Sequence, residues 1–300
     1  MDRRSFLTTG IVGAAAAALT PPGAEAASAD FTFVHFTDVH IQPELHAADG
    51  TRRCIAAINA SGPEFAICGG DLVFDACAVE KPRAKMVYDL YFETIKPLHM
   101  PVHTIIGNHD VFGISTKGAV APSDPMYGKR MFEDRVGPLY SSFDYKGWHF
   151  VLLDSIGTHV PGKEFIGYVD PAQIEWLKAD LAKMKPGSKL AVATHIALAS
   201  AVMTLVPDPW KTNEIYLVTN GQDLLDVLWP YNPRLVLQGH THINETVTYR
   251  GCQFVTTGAV CGNWWKGPRD GHREGFNVVT IRGDEVRTRY QTFGFIADRS

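Results

Sequence analysis

Five short runs rich in β-branched and aromatic residues each stop at a polar cluster, and that repetition constrains the fold more than any other feature of the chain. FTFVHF leads to Thr37-Asp38-Val39-His40, PEFAIC to Gly69-Gly70-Asp71, and VHTII to Gly107-Asn108-His109-Asp110. KLAVA leads to Thr194-His195, and RLVL runs through Gln238 to Gly239-His240-Thr241-His242. In sheets built with helical crossovers, ligands bind in the crevice beyond the C-terminal ends of the strands, so five such deliveries can meet in one place. Within an extended strand, residues i and i+2 share a face. That geometry pairs Asp38 with His40 and His240 with His242, each pair aimed at one object.

Helical segments separate the runs. The clearest starts at Asp170, an N-cap followed by Pro171 at the first helical position and Gln173 at the capping-box position, with Ile174, Leu177 and Leu181 on one face. Others are expected at about 51 to 60, 82 to 96 and 221 to 229. Tyr140 to Tyr145 and Trp148 to Asp154 read as a hairpin turning at Lys146-Gly147. Phe276 to Ile281 and Val286 to Tyr290 read as another around Gly283-Asp284. Hairpins add antiparallel pairing to parallel pairing, which makes the sheet system mixed. Val111 to Pro138 and Ile196 to Asn213 are long connections that each follow a polar cluster, and they are expected to wall the pocket.

The N-terminus follows a different logic. Arg3-Arg4-Ser5-Phe6-Leu7, an Ala/Gly-rich apolar stretch to Leu19, and Ala24-Glu25-Ala26 make the charged, apolar and cleavage regions of a secretory signal, and the arginine pair resembles a twin-arginine signal. Residues 1–26 are therefore expected to direct export to the periplasm or beyond the cell, leaving one domain over 27–300. No apolar run of about 18 residues follows, so no transmembrane segment is expected after signal removal. A net charge of -4 gives no electrostatic footprint for nucleic acid. Five cysteines are an odd number for an exported chain, so at least one stays unpaired or pairs between molecules, and only Cys252 with Cys261 has the placement to test as a disulfide.

Asp38, His40, Asp71, Asn108, His195, His240 and His242 supply two carboxylates, four imidazoles and one amide oxygen. Mixed N/O donors of this kind suit iron, manganese or zinc, and seven are too many for one tetrahedral ion. They suit two ions sharing a carboxylate, the arrangement that clamps attacking and leaving oxygens in displacement at phosphorus.

The ordered set Asp-x-His (38, 40), Gly-Asp (70, 71), Gly-Asn-His-Asp (107 to 110), His195 and Gly-His-x-His (239 to 242) resembles the calcineurin-like metallophosphoesterases over residues 31 to 245. YSSFDYKGWHFVLLDS (140 to 155) and Cys261-Gly262-Asn263-Trp264-Trp265-Lys266-Gly267 resemble the bacterial branch that includes cyclic-nucleotide phosphodiesterase-like enzymes. The resemblance implies an α/β, four-layer αββα sandwich with two mixed sheets and a dinuclear metal site at the strand C-terminal ends. It implies one ion, divalent or trivalent, on Asp38, His40, Asp71 and His242, and a second on Asp71, Asn108, His195 and His240, with Asp71 bridging. It also implies that a metal-bridging hydroxide attacks a small phosphate ester, diester or monoester, while His109 serves as general acid. In the purple acid phosphatases a tyrosine, and in the protein serine/threonine phosphatases an aspartate, follows the bridging Asp by three residues; here Phe74 stands there, and neither role transfers.

Other classes fit less well. A metallo-β-lactamase-type hydrolase would need an acid where Asn244 stands, and an amidohydrolase would open with His-x-His rather than Asp38-Val39-His40. A non-catalytic dinuclear metal-binding protein remains the alternative, but it has no use for His109. Of the remaining histidines, His35 and His103 are expected as hydrogen-bonded core residues, and His46, His99, His149, His159 and His272 at the surface. Trp264 and Trp265 divide evenly between core packing and an aromatic wall of the pocket.

Overall fold

The computed structural model describes residues 30–158, 164–205 and 214–298. The signal segment and His159 lie outside the described residues, as does part of the second long connection.

The elements alternate as the sequence pattern requires: β1 (Phe31–Phe36), α1 (Ala47–Ala60), β2 (Phe65–Cys68), α2 (Lys81–Ile95), β3 (Val102–Thr104), α3 (Arg130–Arg135), β4 (Ser141–Tyr145), β5 (Trp148–Leu152), β6 (Ile156–Gly157) and β7 (Ile166–Gly167). Then come α4 (Pro171–Leu181), β8 (Lys189–Ala193), α5 (Gly221–Leu228), β9 (Pro233–Gln238), β10 (Glu245–Tyr249), β11 (Cys252–Thr256), β12 (Gly275–Arg282) and β13 (Glu285–Thr292). One sheet has the order β13-β12-β1-β2-β3, the other β10-β11-β9-β8-β5-β4, and β6 pairs with β7 as a separate ribbon. Both sheets are mixed. The strands that end in the site clusters run parallel to their neighbours (β1 with β2, β2 with β3, β8 with β9), while β12 joins β1 antiparallel.

Alternation along the strands builds the layers. Phe31, Phe33, Phe65, Ile67, Trp148, Phe150, Ala191, Leu235, Leu237, Val255 and Val279 face one shared core between the sheets. Rings cross it edge to face, with Phe33 and Phe150 centroids 5.5 Å apart and Phe31 and Tyr145 5.3 Å apart. The intervening residues turn outward to helices: Val34, Ala66 and Cys68 pack with Cys54, Ile58, Val87, Tyr88 and Tyr91, and Val192 and Val236 with Leu177, Leu181, Leu224 and Leu228. Two sheets face each other with helices outside both, giving the expected four layers.

Several local expectations change. The first helix begins at Ala47 rather than near 51, because Gly50 lies inside it: a Cβ there would come within 2.2 Å of the Trp265 ring, so glycine marks a close contact and not a break. Asp170 Oδ1 accepts from the Ala172 amide as an N-cap, but Gln173 does not close a capping box. Its side chain instead pairs with the backbone N–H and C=O of Asp154. The connection 111–138 contains α3 and a 3-10 turn at Thr116–Gly118. His149 is buried, not exposed, with Nδ1 2.7 Å from Asp144 and Nε2 2.9 Å from Asp180. His103 is half-buried and stacks on Phe143 at 3.7 Å. All five cysteines are free and buried; Cys252 opens β11 while Cys261 lies beyond its far end, which separates the pair. Among the described residues no helix is long and apolar enough to cross a membrane.

Candidate metal centre

The chain leaves β1, β2 and β9 by a sharp change of backbone. Asp38, His40, Asp71, His240 and His242 all have positive φ, between 44° and 69°. The i, i+2 pairs therefore do not converge through extended geometry. Left-handed conformations cost non-glycine residues about 1–3 kcal/mol each and persist where surrounding contacts over-determine them. Here the amides of Asp38 and His40 donate to the carbonyls of Gly70 and Asp71, each at 3.0 Å, and Gly239 donates to the His195 carbonyl at 2.9 Å. The strand exits are thus stitched to one another.

The side chains meet. His40 Nε2 lies 3.3 Å from Asp71 Oδ2 and 3.2 Å from His242 Nε2, and His242 Nε2 lies 3.3 Å from Asp38 Oδ1. His195 Nε2 is 3.3 Å from the same Asp71 Oδ2 and 3.2 Å from Asn108 Oδ1. One oxygen of Asp71 stands between two clusters. His240 joins Asp71 and His195 in one group whose ligand atoms lie within 4.8 Å of each other. His240 and His242 therefore serve different clusters rather than one object. Asp38, His40, Asp71, Asn108, His195 and His242 are all buried.

Four of the donors are held from outside at their other atom. His195 Nδ1 donates to the Gly69 carbonyl at 2.8 Å, and His242 Nδ1 to the Gly262 carbonyl at 2.6 Å. Carbonyls only accept, so both rings, when neutral, turn the lone pair of Nε2 inward. Asp38 Oδ2 accepts from Thr37 Oγ1 and from the His240 amide, leaving Oδ1 without a hydrogen-bond donor among the described residues. Asp71 Oδ1 accepts from the His109 amide at 2.8 Å, leaving Oδ2 to the histidines. Gly107 is required by this contact, since a Cβ would come within 2.1 Å of Asp71 Oδ1. His240 Nε2 is likewise buried and unpartnered among the described residues. Inward-facing lone pairs on N and O donors, with the opposite atoms of Asp38, Asp71, His195 and His242 anchored, are what a transition-metal site requires; His40 Nδ1 is buried without a partner among the described residues.

The electrostatics agree. Burial pulls His40 down to about 4, and burial with neighbouring His195 pulls His240 down to about 3, so both are neutral imidazoles. Burial opposes charge on His195 as well, but the Asp71 carboxylate outweighs it and raises the ring to about 9. His242 is raised well above its ordinary value because Cys261 and Asp38 overcome its burial. The same histidines hold Asp38 and Asp71 below the usual carboxylate range against their burial.

Asp110 has no place in the expected ligand set, yet it organises the site. Its carboxylate accepts from the amides of Leu72, Val73 and Gly107, and burial with adjacent Asp71 pushes it up to about 8. The motif Gly-Asn-His-Asp contained it, but nothing in spacing separates a ligand from a residue that holds the loop. His109 sits on the 3-10 turn Asn108–Asp110, with its ring 4.8 Å from and perpendicular to that of His40. Its ligand atom also lies within reach of His40 and Asp71. The tryptophans divide: Trp265 is buried, and Trp264 stands at the site with its ring 4.2 Å from His40. A cavity of about 900 Å³ lies apart from this centre, lined by Tyr127, Lys129, Asp154, Ile156, Ile166 and Tyr168 among others. The connection 111–138 walls that cavity. Ile166 of β7 lines it, while neighbouring Phe165 turns its ring to His240, 6.0 Å away.

Comparison with known proteins points the same way. A "Probable cyclic nucleotide phosphodiesterase" of Psychrobacter arcticus is 23% identical over 76% of this chain and 79% of its own length. A rat "Serine/threonine-protein phosphatase CPPED1" is 26% identical over 83% of this chain and 75% of its own. The crystal structure of a dimetal phosphatase from Danio rerio superposes with a TM-score of 0.60 at 18% identity, covering 86% of this chain and 98% of that one, and so shares the fold. The family model for calcineurin-like phosphoesterases matches residues 31–244, the span that carries every donor described above. The chain belongs to the calcineurin-like phosphoesterase family, whose members are metal-dependent phosphoesterases.

Proposed function

We propose that this centre holds two metal ions and hydrolyses phosphodiesters in preference to monoesters. The observation that carries the two-ion reading is the position of Asp71 Oδ2, 3.3 Å from both His40 Nε2 and His195 Nε2. Asp38, His40, Asp71 and His242 would hold one ion, and Asp71, Asn108, His195 and His240 the other. When bound, the ions supply positive charge to the phosphoryl oxygens and lower the pKa of water to that of a nucleophile near neutral pH.

The chain's own residues do the rest. Thr37 and the His240 amide fix the Asp38 carboxylate, and the His109 amide fixes Asp71, so both carboxylates are held in place before substrate binds. His109 donates the proton to the leaving oxygen. Two features support a diester. Among the described residues no Lys or Arg pairs with any of these eight side chains, whereas a monoester dianion would be served by such a cation. The flanks are aromatic, with Tyr216 and Phe165 beside His240, and Trp264 beside His40 and His109. The relative named as a cyclic nucleotide phosphodiesterase supports the same reading.

With manganese supplied, kcat/KM for bis(p-nitrophenyl) phosphate is expected to exceed that for p-nitrophenyl phosphate by about tenfold or more. A preference for the monoester refutes the diester assignment. His109→Ala is expected to keep its ions while losing roughly 10²-fold to 10⁴-fold in rate, and Asn108→Ala to lose ion occupancy. If His109→Ala loses an ion and Asn108→Ala keeps both, the two roles must be exchanged.

We also propose export through the Arg3-Arg4 signal, supported by the order of charged, apolar and small residues and by a centre that requires folding around its ions. Replacing both arginines by lysine should retain the protein in the cytoplasm; unchanged periplasmic or extracellular levels refute the twin-arginine route.

A further inference from the structure

The loop after β11 carries two adjacent tryptophans in the left-handed region, Trp264 with φ 57° and Trp265 with φ 64°. Bulky residues rarely adopt that conformation, and two in succession need strong anchoring. The anchor is Trp265. It is fully buried, its indole N–H is shared between the carbonyls of Val39 at 3.0 Å and His40 at 3.1 Å, and its ring fills the space left by the absent side chain of Gly50. The amides of Val260 and Cys261 donate to the carbonyls of Thr37 and Asp38, clipping the loop to the segment that bears Asp38 and His40.

Trp264 is thereby turned the other way. Its ring centroid lies 4.2 Å from that of His40, 5.0 Å from His109, 5.0 Å from His242 and 5.8 Å from Phe74. It is only partly buried. Core packing does not require a second strained tryptophan at this place. A flat, half-open ring beside His109 has a chemical use, because His109 faces the leaving group in the function proposed above.

We propose that Trp264, backed by Phe74, is a specificity-determining platform on which a flat aromatic or heteroaromatic leaving group stacks. The substrate class is then a phosphodiester with one aryl-like or nucleobase-bearing substituent on the His109 side of the centre. This rests on the phosphodiester reading. Stacking of a base or aryl ring on tryptophan contributes enough to change binding by about tenfold to a hundredfold.

The test uses manganese-saturated enzyme with ions per chain measured for every variant. Methyl p-nitrophenyl phosphate reports the aryl leaving group, and inhibition by dimethyl phosphate reports the phosphate-binding centre without any ring. Trp264→Ala is expected to lower kcat/KM for the aryl ester about tenfold to a hundredfold, mostly through KM, while the dimethyl phosphate inhibition constant moves by less than about threefold. Trp264→Phe, which restores a flat ring, should recover most of the loss. Equal losses on both probes, no loss on the aryl ester, or loss of ions in both variants would overturn the platform. A wild-type enzyme inactive on every ester with ions bound would instead overturn the phosphoesterase mechanism, and the platform with it.

Discussion

At the level of single residues, the centre is two carboxylates held ionised by histidines whose charge they in turn support. His195, raised to about 9 with Asp71 outweighing its burial, and His242, raised well above its ordinary value, carry protons at neutral pH when no ion is present. A metal ligand must be neutral, so each must release its proton as an ion binds. Uptake of metal is therefore expected to tighten as pH rises from 6 toward 9 and to weaken on acidification, by roughly tenfold or more per pH unit. His40 and His240, already neutral down to about 4 and 3, add nothing to that slope. Calorimetric titration of manganese in buffers of different ionisation enthalpy checks this: proton release near two per two ions is expected, and zero release contradicts the assigned ligands. The meeting of these residues was legible in the sequence because they recur at five strand ends. Their left-handed backbone was not, since spacing carries no information on φ, and the i, i+2 argument reached side chains that the structure brings together, but through the wrong geometry.

Among the elements, helix and strand positions followed from periodicity and capping, whereas residues whose partners lie far away in sequence did not. His149 shows why. On β5 it read as a surface histidine, yet its two ring nitrogens face Asp144 on β4 and Asp180 on α4, tying the edge of the second sheet to the helix that covers it. Asp180 also accepts from Ser142 Oγ. Asp144 is about half exposed, so most of the cost of removal comes from the buried ring and Asp180. His149→Ala is expected to cost about 1–3 kcal/mol, seen as a fall of several degrees in Tm with kcat per folded molecule unchanged. An unchanged Tm would make the bridge incidental. Gly50 makes the complementary point: a helix-breaking residue by local rule, it lies inside α1 because Trp265, more than two hundred positions away, occupies the space of its side chain.

For the whole molecule, two sheets face each other across an aromatic core and bring the exits of β1, β2, β3, β8 and β9 to one place. The layered architecture and the meeting point were legible because alternation marks which strand face is inward and because each run ended in polar residues. Strand order was not: β12 and β13 return from the end of the chain to pair beside β1, and β11 inserts next to β9. Such long-range pairings are set by packing of the finished core rather than by any local signal. The central claim is that this architecture assembles one centre for two ions around Asp71. It is tested most directly by adding manganese stepwise to metal-free protein and following both bound ions per chain and hydrolysis of bis(p-nitrophenyl) phosphate. Activity that reaches its plateau only as the second ion binds, and that Asp71→Asn lacks at every ratio, is the predicted result; a plateau at one ion per chain would contradict it.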